Sequence, residues 1–373
     1  MITIRARLLV VFLVLLFLVS CGGGGGDSTN EDPLVVDDSD NVPSRNLSGH
    51  LVPEDSGNDL YILEVSTGLG RQVPNTNWQS HTDIFPNGNF YKTPVDYDNS
   101  QFIVSARGCR YYSLSVDISC IAIQDYSGNY LGFFDLFYDV YIVRMSPDKS
   151  YVALFRNVNP GYPDSEYLEI YNLSGELISD LLLAERSFQW HPKNGRLVYP
   201  KNNRQLFFTK PYSTESDYIL TLPDNGIDGA IYDFSISPDG LQIVLIMTTE
   251  VTKFTSVQAK AYIMNIDGTN IRKLADVPEN NEGYISDPSW SPDGNWLLLR
   301  EGYAAGQDSN TLGTAGYYYI LPVSNIEKTY TLSIIPGERS QEVIQFKRDI
   351  DPYDTNDQRL VDYALSDRLK WIP

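Results

Sequence analysis

The clearest alternation of apolar and polar positions runs from Ser289 to Arg300, Ser-Trp-Ser-Pro-Asp-Gly-Asn-Trp-Leu-Leu-Leu-Arg. A short strand ends on Trp290. Pro292 pre-sets φ for a turn, Asp293 can accept a backbone N–H, and Gly294 can take φ > 0. The apolar run Trp296 to Leu299 then returns, so the stretch predicts a β-hairpin. The same writing recurs. Ser146-Pro147-Asp148 precedes Tyr151 to Leu154, His191-Pro192-Lys193-Asn194-Gly195 precedes Leu197 to Tyr199, and Ser237-Pro238-Asp239-Gly240 precedes Ile243 to Ile246. Degenerate copies stand at Asp98-Asn99 before Phe102 to Val104 and at Ser366-Asp367 before Leu369 to Ile372. Pro147, Pro192, Pro238 and Pro292 follow one another by 45, 46 and 54 positions, near the roughly 40–50-residue period of propeller blades.

A second unit alternates with the first. Ala261 to Gly268 is an apolar strand running into an Asp-Gly turn, and Ile271 to Leu274 is the return strand. Similar pairs begin near Leu60, Cys120, Tyr167, Gln205 and Tyr317. Four strands per repeat make one propeller blade, the first hairpin supplying inner strands a and b and the second c and d. The series begins with a c–d unit, Leu60 to Pro74, and ends with an a–b unit, Val361 to Pro373. The expected fold is therefore an all-β, six-bladed β-propeller. Its closing blade takes c and d from the N-terminal side and a and b from the C-terminal side, leaving no open edge in the ring.

The Trp-Ser-Pro-Asp-Gly and Tyr-Ile-Met-Asn-Ile-Asp-Gly-Thr-Asn sequences resemble the WD40-like (PD40) repeats of TolB-type propellers. The match is strongest over residues 235–300 and extends over 60–373. The resemblance implies the propeller fold and a binding scaffold.

Arg5 and Arg7 precede an apolar run, Leu8 to Val19, that fits a signal h-region and is short for a membrane span. Leu18-Val19-Ser20-Cys21 resembles a bacterial lipobox, which implies removal of residues 1–20 and acylation of Cys21; several acyl chains give stable anchoring. Gly22 after the Cys implies the outer membrane. Residues 21–58 then read as the lipidated Cys and a flexible acidic linker, with His50 solvated within it, and residues 59–373 as the propeller. The glycine run Gly22 to Gly26 lacks the flanking strand and Lys of a phosphate loop.

Forty-eight acidic against 28 basic residues give a net charge of −20. That argues against nucleic acid and anionic lipid surfaces as partners, so contact with the membrane is expected through the lipid anchor alone. Besides Cys21 there are Cys109 and Cys120. Cys109 falls just after the predicted strand Phe102 to Ala106 and Cys120 opens the next, so a disulfide across this b–c loop is expected in an exported chain. Two thiols with no nearby His make a poor metal set.

Two connections are long, Asn75 to Pro94 and Ile334 to Asp362. Both join strand d to strand a and so belong on one face, where loops of this length are often functional. They carry Trp78, His81, Asp83 and Tyr91, and Arg339, Asp351, Tyr353 and Asp354, the mixture of aromatics and charges that recognition surfaces use; the alternative is that they cap the ring. Asp349 to Asp357 lacks the Gly and Glu of a Ca²⁺ loop. Asp233, Asp287 and Asp362 align three residues before the aromatic position of strand a, placing three carboxylates at one channel mouth. They either hold a ligand or cation or bond backbone N–H groups. No Gly-x-Ser-x-Gly elbow or His-Glu-x-x-His helix is present, and no cofactor or catalytic residue is expected. The reading is an envelope lipoprotein binding a protein or cell-envelope component at the loop face. The alternatives are an envelope hydrolase or lyase on polysaccharide or peptide, and a small-ligand or cation binder at the channel mouth.

Overall fold

A computed structural model describes residues 47–53, 61–66, 70–72, 92–97, 101–112, 116–125, 130–136, 140–157, 166–182, 187–213, 215–223, 227, 229–248, 259–278, 283–303, 316–324, 327–333, 335, 337–346 and 368–373. For 92–136 the description is of backbone, apart from Ile121 and Ile123. Every regular element among these residues is a strand.

Among the described residues the strands fall into four-stranded antiparallel units. The closing unit contains β1 (His50–Pro53), β2 (Tyr61–Glu64) and β3 (Gly70–Gln72). The next holds β4 (Lys92–Tyr97), β5 (Gln101–Tyr112), β6 (Val116–Asp125) and β7 (Tyr130–Leu136), paired in that order. It is followed by β8 (Val140–Met145), β9 (Tyr151–Asn157), β10 (Glu166–Asn172) and β11 (Leu177–Leu182). Then come β12 (Gln189–Trp190), β13 (Leu197–Asn202), β14 (Gln205–Thr209) and β15 (Ser216–Thr221). The last two units share one nine-stranded sheet. One has β16 (Ala230–Ile236), β17 (Gln242–Thr248), β18 (Ala259–Asn265) and β19 (Arg272–Asp276). The other has β20 (Gly283–Trp290), β21 (Trp296–Tyr303), β22 (Gly316–Pro322) and, outermost, β24 (Ile344–Phe346).

The second-strand sequences are apolar without alternation because both faces of each sheet are covered. Val244 and Ile246 of β17 pack towards Trp290, Leu297, Leu299 and Tyr319, while Ile243 and Leu245 pack towards Leu206, Phe208 and Phe234. The same sharing joins β8–β11 to β12–β15 through Phe155, Leu168, Phe188 and Trp190. It joins β4–β7 to β8–β11 through Ile121, Ile123, Val143 and Leu154. The core is thus a series of layers between successive sheets.

The chain closes through β25 (Leu369–Ile372), which pairs antiparallel with β1 in the register His50↔Ile372, Leu51↔Trp371, Val52↔Lys370. The sheet order is β25-β1-β2-β3. The division therefore differs from the expected two-plus-two. The N-terminal side supplies three strands, and Leu369–Ile372 is strand a, not b. β1 lies inside the stretch read as linker, so the sheet begins before residue 59. His50, read as solvated tether, is a strand residue whose Nδ1 lies 3.0 Å from the Pro373 carbonyl oxygen. A polar flank and a four-residue strand gave the sequence no apolar run to reveal it.

The connection expected as a loop over Ile334 to Asp362 also holds a strand, β24, which pairs with β22, while β23 (Tyr330–Thr331), just before it, adds in parallel to the edge of β19. Tyr330, Leu332 and Val343 are buried in the layer between these two units. Arg339, expected at the partner surface, donates to Ser333 O and, at 2.8 Å, to Gln345 Oε1. Cys109 and Cys120 lie on paired strands, β5 continuing to Tyr112, with register Ala106↔Cys120 and Arg110↔Ile118 around a bulge. A bond between them would cross a hairpin instead of spanning a loop. Their side chains, and Cys21, Trp78, His81, Asp83, Tyr91, Asp351, Tyr353, Asp354 and Asp362, lie outside what is described.

Trp371 is 5% exposed, packed with Leu51, Leu298 and Tyr318. Trp371→Ala is expected to cost about 3–5 kcal/mol, read as a lowered denaturation midpoint with unchanged slope in urea. A loss under about 1 kcal/mol would mean that the closing strand is not packed.

Candidate functional site

Each Ser-Pro-Asp turn is built the same way. Ser291 Oγ donates to Asp293 Oδ1 at 2.6 Å and accepts from Trp296 N at 2.9 Å, while Asn295 N donates to the same Asp293 oxygen at 3.0 Å. Ser237 with Asp239, and Ser146 with Asp148, repeat this geometry. The side chains thus replace water for backbone donors at the strand exit. Burial raises these three carboxyl groups, but the serine and backbone hydrogen bonds outweigh it and hold each below the ordinary value. The glycines close the turns at φ +75° (Gly240) and +73° (Gly294). At Gly240 a Cβ would also meet His191 Cε1 at 2.5 Å, so neighbouring turns touch.

His191 replaces the serine in one turn. It is 6% exposed, and its Nδ1 accepts from Lys193 N at 3.2 Å and Asn194 N at 3.4 Å. Burial lowers its pKa, partly offset by its bond to the Gly240 backbone.

The innermost strands meet through hydrogen bonds. Trp190 Nε1 donates to Arg144 O and Trp290 Nε1 to Ser235 O, both at 3.1 Å. Gln189 Nε2 donates to Phe234 O at 2.9 Å and its Oε1 accepts from Ile236 N at 3.1 Å. Trp371 N donates to Ser289 Oγ at 2.8 Å. Registers align Arg144, Gln189, Ser235, Ser289 and Lys370 at one level. They line a cavity of about 290 Å³ with Trp190, Trp290 and Trp371, and Ser146, Pro147, Pro192 and Pro238 of the turns are also in its lining.

Two residues earlier on each strand lies a charged level. Asp233, 3% exposed, accepts from Ser187 Oγ at 2.7 Å, from its neighbour's Phe234 N at 2.8 Å, and from Arg368. Arg368 Nε lies 3.6 Å from Asp287 Oδ1, and Arg300 Nε lies 2.7 Å from Asp287 Oδ2. Asp287 holds φ +53°, an uncommon conformation for a residue with a side chain. Burial disfavours the Arg300 charge, but Asp287 outweighs it and keeps its pKa above the ordinary value. Burial, then Tyr232, Asp233 and Asp287, push the Tyr284 phenol upward, so it stays neutral.

Asp233 and Asp287 therefore do meet, as the sequence alignment expected, but around guanidinium groups. Asp233 also makes the backbone bond of the structural alternative. The position given to Asp362 belongs to Arg368. Aligning Trp371, instead of Leu365, with Trp290 would have found it, and with it Lys370. No group of acidic, His or Cys side chains among the described residues is placed to hold a metal.

This strand order and layering define an all-β propeller. No protein-family model matches the chain, and no curated protein matches it. Among solved structures it is similar to Kuenenia stuttgartiensis hydrazine synthase, at 12% identity and TM-score 0.40 over 61% of each chain. It is similar to the β-propeller domain of the Trilobed protease from Pyrococcus furiosus, at 14% identity and TM-score 0.39, over 66% of this chain and 76% of that one. It is also similar to the C-terminal WD40 domain of Sif2, at 10% identity and TM-score 0.42, over 73% and 78%. The chain spans 61% of the hydrazine synthase chain's length. At such scores these likenesses say nothing of activity, and strand pairing carries the fold.

Removing Arg368 leaves Asp233 and part of Asp287 without their cation. Arg368→Met is expected to destabilise by about 3–5 kcal/mol, and adding Asp233→Asn to recover part of that loss; additive effects in the double-mutant cycle would contradict the pairing. For His191 the folded pKa lies below the unfolded 6.5, so the unfolded chain takes up the proton first. Stability is full above about pH 6.5 and falls as the pH drops below it. Replacing His191 with Asn should flatten that slope in urea melts between about pH 7 and about pH 5; an unchanged slope would exclude His191 as its source.

Proposed function

We propose that this chain is an exported, TolB-like lipoprotein, anchored at the outer membrane through acylated Cys21. Its six blades form a closed, non-catalytic scaffold that binds a protein or cell-envelope component. The observation that carries the binding role is the convergence of five inner strands, β8, β12, β16, β20 and β25, on one cavity whose lining includes the turn prolines Pro147, Pro192 and Pro238. The basic n-region, h-region and lipobox carry the anchoring. A Cys109–Cys120 disulfide formed on export belongs to the same reading.

The proposed binding face is the turn face. The connection after β22, first read as a recognition loop, contributes buried Val343 and strand β24, so deleting Glu338 to Asp357 would damage the fold itself. On the turn face Leu241 is 63% exposed beside Asp239 and Lys193, which fits a recognition rim around a polar cavity.

The test is cross-linking capture from envelope extract. Leu241→Glu with Lys193→Glu should abolish capture at an unchanged melting temperature, and Cys21→Ser should release the protein from the membrane pellet. Undiminished capture by the double variant excludes the turn face; pelleting of the Cys21 variant excludes the anchor.

A further inference from the structure

The outer edges of the sheets are not alike. The edge of β19 is taken by β23, in the register Ala275↔Tyr330 and Asp276↔Thr331. On β11, Ser179 and Leu181 are buried either side of exposed Asp180, so its side chains alternate. β15 ends its sheet, with no strand on its outer side among the described residues. Its burial does not alternate: Asp217, Tyr218 and Ile219 are exposed in succession. Successive side chains point to opposite faces, so both faces of this edge stand clear of the neighbouring sheets. The next unit has no counterpart of β23 to cover it. There β18 and β19 are joined by the tight Asp267-Gly268 turn, whereas β23 comes from the longer stretch between β22 and β24.

Tyr218 is 45% and Ile219 44% exposed. Exposed Tyr212, just before the strand, is brought beside β11 and its exposed Leu177 by the bond from Ser179 Oγ to Pro211 O at 2.9 Å. Five of the nine large hydrophobic side chains exposed among the described residues fall between Leu173 and Ile219, which makes this a patch and not scattered exposure. An uncovered edge also offers backbone N–H and C=O groups to another strand.

The sequence of the edge favours its own copy. Two β15 strands meeting antiparallel about a twofold axis place one residue against its own equivalent at the centre. Centring on Ile219 sets Ile219 against Ile219, Tyr218 against Leu220 and Asp217 against Thr221, apolar and hydrogen-bonding pairs of the stabilising kind. Asp217 is the one charge on the strand, and Arg196 Nε at 3.1 Å and Lys210 Nζ at 3.7 Å neutralise it within its own copy. In this register the two Asp217 residues stand four strand positions apart, about 14 Å, beyond the screening length of roughly 8 Å. A chain of net charge −20 thus meets its copy here without like charges face to face.

We infer that β15 is a self-association edge, at which a second copy of this chain continues the four-stranded sheet across a twofold axis centred on Ile219. The inference uses none of the turn residues and stands or falls apart from the scaffold reading.

Sedimentation velocity of the mature chain carrying Cys21→Ser, over about 1–500 µM, tests it. A monomer–dimer equilibrium with a dissociation constant of about 1–100 µM is expected, as for a small interface. Raising NaCl from about 50 mM to about 500 mM should tighten it, because what opposes association is repulsion between two acidic chains. Ile219→Lys sets two ammonium groups against each other at the axis and should weaken dimerisation at least about tenfold at an unchanged melting temperature. Tyr218→Lys should weaken it too, and Leu241→Glu on the turn face should leave it unchanged. A monomer at every concentration and both salt levels overturns the inference and leaves the edge to an extended segment of another protein. A dimer that neither lysine variant weakens overturns it as well, because its interface then lies elsewhere. Neither result bears on partner capture through Leu241 and Lys193, which is read in the separate capture experiment.

Discussion

The pairing of β25 with β1 is the constraint on which the rest depends. A sheet whose faces are both apolar is stable only between two neighbours, so a linear stack leaves an uncovered layer at each end. Bringing residue 371 back to residue 48 spans 323 positions and costs about 5 kcal/mol in loop-closure entropy. A single buried tryptophan recovers roughly 3–5 kcal/mol of this. Trp371 does more than pack. Its N–H donates to Ser289 Oγ and its Nε1 to Ser48 O at 2.9 Å. It therefore joins the chain's last strand to the neighbouring unit and to the residues that lead into the first strand.

Closure also explains where charge can be kept. A repeat places equivalent positions of successive inner strands side by side, so one register step sets a whole level of the channel. At one level the result is a polar cavity; at the next it is Asp233, Asp287 and Arg368 held by mutual neutralisation, with Ser187 and Arg300 completing the bonds. Buried charges of this kind contribute little net stability but are costly to leave alone. Arg368 stands one residue before β25, so the ion cluster forms only when the closing strand is in place. Pairing, packing and charge neutralisation thus come together in one event.

Turn chemistry made most of the fold legible in the sequence. Ser-Pro-Asp-Gly specifies its own hydrogen bonds, and the apolar runs beside it are strands wherever they are described. What was hidden lacked either signal. His50–Pro53 is four residues at the end of a polar stretch. β23 and β24 are short pieces, before and inside the long connection, and they flank the layer that buries Tyr330 and Val343, with no local turn to announce them. The acceptors of Arg339, Ser333 O and Gln345 Oε1, have no signature in the sequence, because they meet it only once the chain around β24 is folded. The charged level was half legible. Asp233 and Asp287 were aligned correctly, but the choice of Leu365 over Trp371 as the aromatic position put an aspartate where an arginine stands. A six-residue shift in the alignment reverses the sign of the side chain, and with it the chemistry inferred for the mouth.

Hydrogen exchange at the backbone amides of Leu51 and Val52 tests the central claim most directly. If β1 is held between β2 and β25, these amides exchange with the slow core class that includes Leu297 to Leu299, and deleting residues 369–373 moves them to fast exchange. Exchange as rapid as in an unstructured tail in the intact chain, or protection indifferent to that deletion, would contradict closure by the two ends of the chain.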